Sequence, residues 1–416
     1  MSTPKWRALA PIMLSAAVLL AGNGMLVTMI ALRGPSEGFD STWIGIFGAA
    51  YYLGFLLASW LSIHLIRRAG HIRVFAGLAA AAAATTLLML LWIEAEVWTV
   101  ARFVQGLAFS GITTVIESWL NGLIENRNRG RILSIYRVVD LGAVTGGQFL
   151  LPVVGITDFH IFVVCAIFFC VALMPVTLSN NSSPAMPETS GFDIRAVWAM
   201  SPVACMGCLA VGMANGAFRT LSPTYATAAG LDVAEVATFL SLFIAAGAIS
   251  QFPIGWLSDR FDRRSVIMFV TVGASAASLF IILAAGLSPM TIFIGSALFG
   301  GFALPLYSLS SAHANDHCPP GRFVTLAAGL LLFFAAGAFV GSPVAAIAME
   351  YLGPEALFGF ICTVHALFLA FVLYRRTRRP AVPRERQTVH VGLLRTSPAM
   401  FALTQHQSSK HQDDID

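Results

Sequence analysis

Five ionisable side chains stand inside otherwise apolar stretches: Arg102, Glu117, Arg137, Asp140 and Arg219. A Lys, Arg or Asp at the centre of a membrane helix costs about 2.5–3.5 kcal/mol on insertion scales, so each of these residues is a candidate for function. Arg102, Gln105, Phe109, Thr113 and Glu117 recur at separations of three and four, which places them on one broad face of a helix that should look inward. If that helix runs inward and the next runs outward, Glu117 reaches the depth of Arg137, with Asp140 one turn away. Two acids then face one base, and one carboxylate can take up a proton during a working cycle. Two readings stand at this level: Glu117 couples proton movement with Arg137 and Asp140 as partners, or the trio is a permanent network joining two helices. Arg102 faces the outer half of a cavity, where an anionic substrate or another helix's carboxylate would meet it. Arg219 lies near a helix end and can also snorkel to water.

The uncharged polar residues form a second set. Asn23 and Asn215 fall near the middle of their apolar runs, and each is followed by a glycine, which permits close approach of a ligand or a neighbouring helix. They are candidate substrate contacts with Gln105, Gln148, Arg219 and Tyr307, and the alternative is that each amide bonds a nearby backbone carbonyl. Tyr51 and Tyr52 are further amphipathic candidates, whereas Phe333 and Phe334 read as packing. His313, Asp316, His317 and Cys318 crowd one short turn and lack the second cluster a metal site needs. No phosphate loop, nucleophile elbow or zinc-protease motif is present. The chain is therefore expected to be no enzyme, to use no cofactor and to draw its energy from something other than ATP.

The elements that carry these residues follow from composition. With 57% hydrophobic and 11% charged residues in 416 and a mean hydropathy of +0.77, the chain is too apolar for a soluble domain and is expected to be a polytopic membrane protein. Spanning about 30 Å of hydrocarbon takes roughly 20 helical residues. Twelve such runs occur: 8–32, 42–66, 74–93, 98–122, 132–154, 160–178, 200–221, 234–257, 266–286, 290–312, 324–349 and 356–374. They are continuously apolar, which indicates helices in place of barrel strands. Acids such as Glu37, Asp40, Glu94, Asp232 and Glu355 gather in one set of connections, with Arg33 as the lone base. The other set holds Arg67, Arg68, Arg73, Arg127, Arg129, Arg131, Arg260, Arg263, Arg264 and Arg322. Basic loops stay on the cytoplasmic side, which places both termini in the cytoplasm. The net charge of +4 reflects that sidedness and is not a nucleic-acid footprint.

The runs are organised as two halves. Gly22-Asn23-Gly24 meets Ala214-Asn215-Gly216 at an offset of 192, and at the same offset Thr28 meets Thr220, Gly38 meets Gly230, Asp40 meets Asp232 and Arg68 meets Arg260. The expected domains are a six-helix bundle over 1–178, a cytoplasmic linker over 179–198, a second bundle over 199–374 and a basic cytoplasmic tail over 375–416. Within the linker, Ser179 to Ala196 reads as a flexible connector, and Val391 to Leu403 is an apolar stretch of the tail able to dock on the cytoplasmic face.

Several motifs resemble a known family. Gly255-Trp256-Leu257-Ser258-Asp259-Arg260-Phe261-Asp262-Arg263-Arg264 is similar to the loop signature of the major facilitator superfamily, with Asp262 in place of a glycine. The first-half counterpart, Ile66 to Arg73, keeps a glycine and its bases but has Arg67 where the acid belongs. Arg102-Phe103-Val104-Gln105-Gly106 matches the family's Arg-x-x-Gln-Gly pattern. Glu117 to Asn121, His313 to Asp316, Gly353 to Phe358 and Arg395 to Pro398 resemble the bacterial YcaD-like branch. The resemblance implies an all-α fold of two pseudo-symmetric six-helix bundles, alternating access, and a loop latch through Asp259. It implies residence in the bacterial inner membrane, with a small molecule, protons and lipid as partners, no nucleic acid, and action as a monomer. The expected cargo is a small polar, anionic metabolite moved with protons. The rival readings are a proton-driven efflux antiporter for amphipathic drugs and a receptor or scaffold that no longer transports.

Overall fold

The structure, a computed structural model, describes residues 6–123, 129–179, 193–284, 286–319 and 322–378. Every regular element among them is an α-helix. The first seven are α1 (Trp6–Ser36), α2 (Ser41–Ala69), α3 (His71–Leu91), α4 (Ala95–Leu123), α5 (Arg129–Val154), α6 (His160–Val171) and α7 (Leu173–Thr177). The rest are α8 (Ile194–Met200), α9 (Pro202–Ala228), α10 (Val233–Arg260), α11 (Arg263–Leu283), α12 (Pro289–Ala303), α13 (Pro305–Asn315), α14 (Phe323–Leu352) and α15 (Ala356–Arg376). Eleven spans among the described residues are long and apolar enough to cross a membrane, and the bent pair α8–α9 makes twelve. Every expected run is occupied by one helix or by a pair broken at a single point.

The breaks have local causes. Proline stands at the first position of α9 and of α13, where its missing N–H costs nothing but its ring prevents the preceding helix from running on. At the first of these the chain turns by 109°, and the Ser201 hydroxyl accepts from the Ala204 N–H to cap the new helix. The connector expected over Ser179–Ala196 falls mostly in 180–192, outside the described residues. Its last residues depart from expectation, since Asp193 caps α8 by accepting from the Ala196 N–H at 2.9 Å. The tail beyond 378, with the stretch Val391 to Leu403 and the motif Arg395 to Pro398, also lies outside the described residues.

The chain divides into two compact units, Met1–Thr189 with Asp232–Ala237, and Ser190–Leu231 with Thr238–Asp416. Their internal packing repeats. In the first unit a side chain on Gly106 would fall on the Tyr51 carbonyl, so α4 and α2 touch backbone to backbone; in the second, Gly300 of α12 meets the Phe243 carbonyl of α10 in the same way. Gly147 of α5 lies against Ala21 of α1, and Gly341 of α14 against Met213 of α9. Gly24 faces Val144, and Gly216 faces Ala338. Small residues let helix backbones approach in lipid, where dispersion contacts replace the hydrophobic effect as the driving force.

Within each matched contact the residues of α1 and α2 stand 192 from their partners in α9 and α10, whereas those of α4 and α5 stand 194 from theirs in α12 and α14. The change falls between α3 and α4, because α3 and α11 are both 21 residues long. The connection after α3 holds residues 92–94, and the one after α11 holds 284–288. Turns before the second span of each half also agree: Gly38 and Gly230 have φ of 88° and 89°, a left-handed conformation that glycine adopts without strain. Asp40 then accepts from Trp43 N–H at 2.9 Å. Asp232 and Glu235 form a reciprocal capping box with bonds of 2.8 and 2.9 Å.

Candidate functional site

In the first unit, the tight α2–α4 contact sets the height of a buried polar nest. Arg102 is 4% exposed. Its Nη1 donates to Gln105 Oε1 at 3.0 Å, and its guanidinium lies 4.5 Å from the centre of the Tyr51 ring. Gln105 passes its own amide N–H to Thr86 Oγ1 at 3.3 Å and to the Met89 sulfur at 3.5 Å, on α3. Three helices are thus joined through one charge. A ring face beneath a guanidinium and an amide at its edge replace part of the lost hydration.

Further along α4, Phe109 makes an edge contact with Phe169 at 5.2 Å, and Glu117 is 1% exposed. Arg137 Nη1 lies 3.7 Å from Asp140 Oδ2, with both side chains part-buried. Tyr136, one residue before Arg137, lies within electrostatic range of Glu117, Asp140 and Arg137 together. Arg137 and Asp140 thus pair on α5, and Glu117 on α4 acts electrostatically on the same buried phenol.

The amides stand at the α1–α5 and α9–α14 contacts. Gln148 Nε2 donates to the Gly24 carbonyl at 3.0 Å. Asn23 and Asn215 are each 7% exposed. The side-chain oxygens of Asn23, Asn215 and Gln148 have no hydrogen-bond partner among the described residues. Arg219 is part-buried and has interaction partners. Tyr307, 5% exposed, sets its ring edge-on to Phe334 at 5.7 Å, and Phe333 meets Trp198 at 6.2 Å.

The matching height of the second unit is built from rings. Phe243 and Phe299 stack at 5.6 Å, and Phe218 stacks on Phe243 at 4.2 Å. Phe358 and the fully buried His365 meet Phe299 edge-on at 6.3 and 6.1 Å. Phe243 stands 192 after Tyr51, and Ser296 and Phe299 stand 194 after Arg102 and Gln105. Ser296 donates to the Phe239 carbonyl at 2.7 Å. The positions that hold the charge in the first unit thus hold a hydroxyl and two phenylalanines in the second.

The loop ends differ in the opposite sense. Asp259 Oδ1 lies 3.8 Å from Arg263 Nη2, and Arg263 Nε lies 3.2 Å from Asp316 Oδ2, with Arg263 and Asp316 side chains 2% and 1% exposed. This bridge ties α10, α11 and the end of α13. Asp262, where the family loop has glycine, keeps φ at −56° and caps α11 by accepting from the Ser265 N–H. Its first-unit counterpart Gly70 turns with φ of 81°. Arg263 itself corresponds to His71, which bonds Ser118 Oγ at 2.9 Å and stacks on Trp119 at 5.8 Å. No residue pattern had singled out Arg263 and Asp316 as partners. The available signal was an acid just past the end of a span, in the half whose loop motif is well formed. Beyond it, burial pushes the Cys318 thiol up to about 11, with Arg322 pulling the other way.

Two helical units with paired glycine contacts and eleven or twelve candidate spans among the described residues define a polytopic helical membrane protein. The family model for the Major Facilitator Superfamily matches residues 12–247 and 203–405, and the chain belongs to that superfamily. It is 25% identical over 378 residues to the MFS-type transporter YcaD of Escherichia fergusonii, covering 89% of this chain and 97% of that protein. The YcaD of Shigella flexneri serotype 5b is 25% identical over 376 residues, with 89% and 96% covered. Among solved structures, the nucleoside transporter NupG superposes with a TM-score of 0.77 at 12% identity, covering 88% of this chain and 98% of that one. A bacterial homolog of the human lysosomal transporter Spinster gives 0.70 at 15%, covering 93% and 99%. Likeness at those identities establishes the fold alone.

Proposed function

We propose that the protein is a proton-coupled secondary transporter of the bacterial inner membrane, with both termini cytoplasmic, moving a small polar solute by alternating access as a monomer. In this reading the halves 1–178 and 199–374 move as bodies, the segment 179–198 links them, and Glu117 takes up and releases the proton. The observation that carries it is the burial of Glu117, 1% exposed, within electrostatic range of Tyr136, on which Asp140 and Arg137 also act. A carboxyl held away from water next to one base and a second acid can change charge state as its neighbours move. Arg102 and Gln105 join α4 to α2 and α3, so movement on α4 is transmitted through the first bundle. The bridge through Asp259, Arg263 and Asp316 holds the loop end of the second. The rings of the second unit stack on one another, which favours packing over a wall for amphipathic drugs.

The test is transport in proteoliposomes with the solute that most stabilises the purified chain. Glu117→Gln should abolish accumulation driven by a pH gradient while leaving solute exchange at equal pH intact. Accumulation that persists in that variant would overturn the proton role.

A further inference from the structure

The three guanidiniums that suggested an anionic cargo all have partners. Arg102 is bonded to Gln105 and covered by Tyr51, Arg137 lies beside Asp140, and Arg219 is engaged as well. At one crossing of the first unit two amide oxygens are left unmatched among the described residues. At the α1–α5 crossing, Gln148 is 4% exposed and its amide N–H is committed to the Gly24 carbonyl, which fixes the orientation of the group and leaves Oε1 as an acceptor. The neighbouring Asn23 presents a second buried carbonyl oxygen with no partner among the described residues. An unmatched buried polar atom costs about 1–3 kcal/mol. The same feature recurs on Asn215 in the second unit.

The crossing is held rigid. Gly147 locks α5 against α1, and Gln148 bonds the Gly24 carbonyl across it, so the two amides are fixed relative to each other.

Resting on the reading of the chain as a transporter, we propose that the α1–α5 crossing at Asn23 and Gln148 is a binding site for an uncharged, hydroxyl-rich solute of the polyol or monosaccharide class. Gln148 Oε1 can only accept, so a carboxylate or phosphate meets it with like polarity, whereas the Asn23 amide accepts through Oδ1 and donates through its N–H groups, and a hydroxyl, which does both, matches the pair. An ammonium would lose its hydration against two dipoles that carry partial charge only. A hydroxyl exchanges one bond to water for one to an amide and satisfies an atom that is otherwise unmatched.

The test uses the full chain purified in detergent, with thermal unfolding followed in ribitol, D-glucose, L-lactate and putrescine. Ribitol or D-glucose should raise the midpoint, and lactate and putrescine should not. Asn23→Leu should not lower the unliganded midpoint, because the Asn23 amide oxygen makes no hydrogen bond in the fold, and should weaken the neutral solute about tenfold. Gln148→Leu should do the same; if it does not fold, Asn23→Leu decides. A shift from lactate or putrescine but from neither neutral solute overturns the site, as does a neutral shift undiminished in Asn23→Leu, or no shift from ribitol or glucose. Proton flux in proteoliposomes separates this failure from that of the transporter reading. Flux evoked by lactate keeps proton-coupled transport and removes this site, whereas ribitol binding without any proton flux keeps the site and removes the coupling.

Discussion

The first unit concentrates its polarity in the middle of the bundle and the second concentrates it at the loop end. Tyr51, Arg102 and Gln105 correspond in the repeat to Phe243, Ser296 and Phe299, and His71 with Arg67 corresponds to Arg263 with Asp259. The backbone contacts that set these positions are the same in both units, since Gly106 and Gly300 meet equivalent carbonyls. One scaffold thus supports two kinds of interior. The difference teaches that the duplicated glycine contacts carry the architecture, while the side chains mounted on them differ: a buried Arg-Gln nest at mid-bundle in one half, an ionic clamp at the loop end in the other.

The largest effect should come from breaking the clamp. Asp316→Leu leaves Arg263, 2% exposed, without its closer carboxylate, and removing one member of a buried pair costs about 3–5 kcal/mol. Thermal unfolding in detergent should show it, and His71→Leu at the corresponding site should cost less, about 1–2 kcal/mol for a hydrogen bond and a ring contact. Equal losses would remove the asymmetry between the loop ends. Next, Gly106→Ala and Gly300→Ala should each destabilise by about 1–3 kcal/mol, because the new methyl displaces a backbone carbonyl. Similar losses in the two variants would show that the contacts are equivalent as well as superimposable in sequence.

Converting the first nest to the second, by combining Tyr51→Phe, Arg102→Ser and Gln105→Phe, should leave a folded protein whose solute accumulation falls to background. Circular dichroism and proteoliposome uptake would check the two halves of that outcome. A smaller effect is expected for Asn215→Leu, within about 0.5 kcal/mol in unfolding, since its amide oxygen makes no hydrogen bond in the fold. The least disruptive probe is Cys318. With its thiol raised to about 11, it is protonated near pH 7, and the reactive thiolate grows as pH rises toward that value. Maleimide labelling read by mass spectrometry should therefore be slow at pH 7 and accelerate about tenfold per pH unit up to pH 9.

The helices were legible because long apolar runs have one solution in a bilayer: all backbone hydrogen bonds must be made within the segment. The repeat was legible at Asn23 and Asn215, and at Gly38 and Gly230, where identity survives. It was not legible at Gly106 and Gly300, because their separation has drifted to 194 and an ungapped comparison passes over it. Spacing put Arg102 and Gln105 on one face of α4, but their bond to each other and the placement of Tyr51 beneath the guanidinium depend on side-chain conformation and on how two helices cross. The bridge from Arg263 to Asp316 was hidden for a related reason. Each residue alone reads as loop charge, and only the return of α13 to the end of α11 brings them to 3.2 Å.

The two residues that separate the offsets 192 and 194 fall in a connection, three residues long after α3 and five after α11. The chain has therefore already tolerated a change of length there without shifting any paired glycine. Loop closure grows only slowly with length, whereas two residues added inside a helix turn everything beyond them by about 200°. The corner between Trp92 and Glu94 is accordingly where a short epitope or a fluorophore tag can be inserted to report on this protein while leaving both bundles in register.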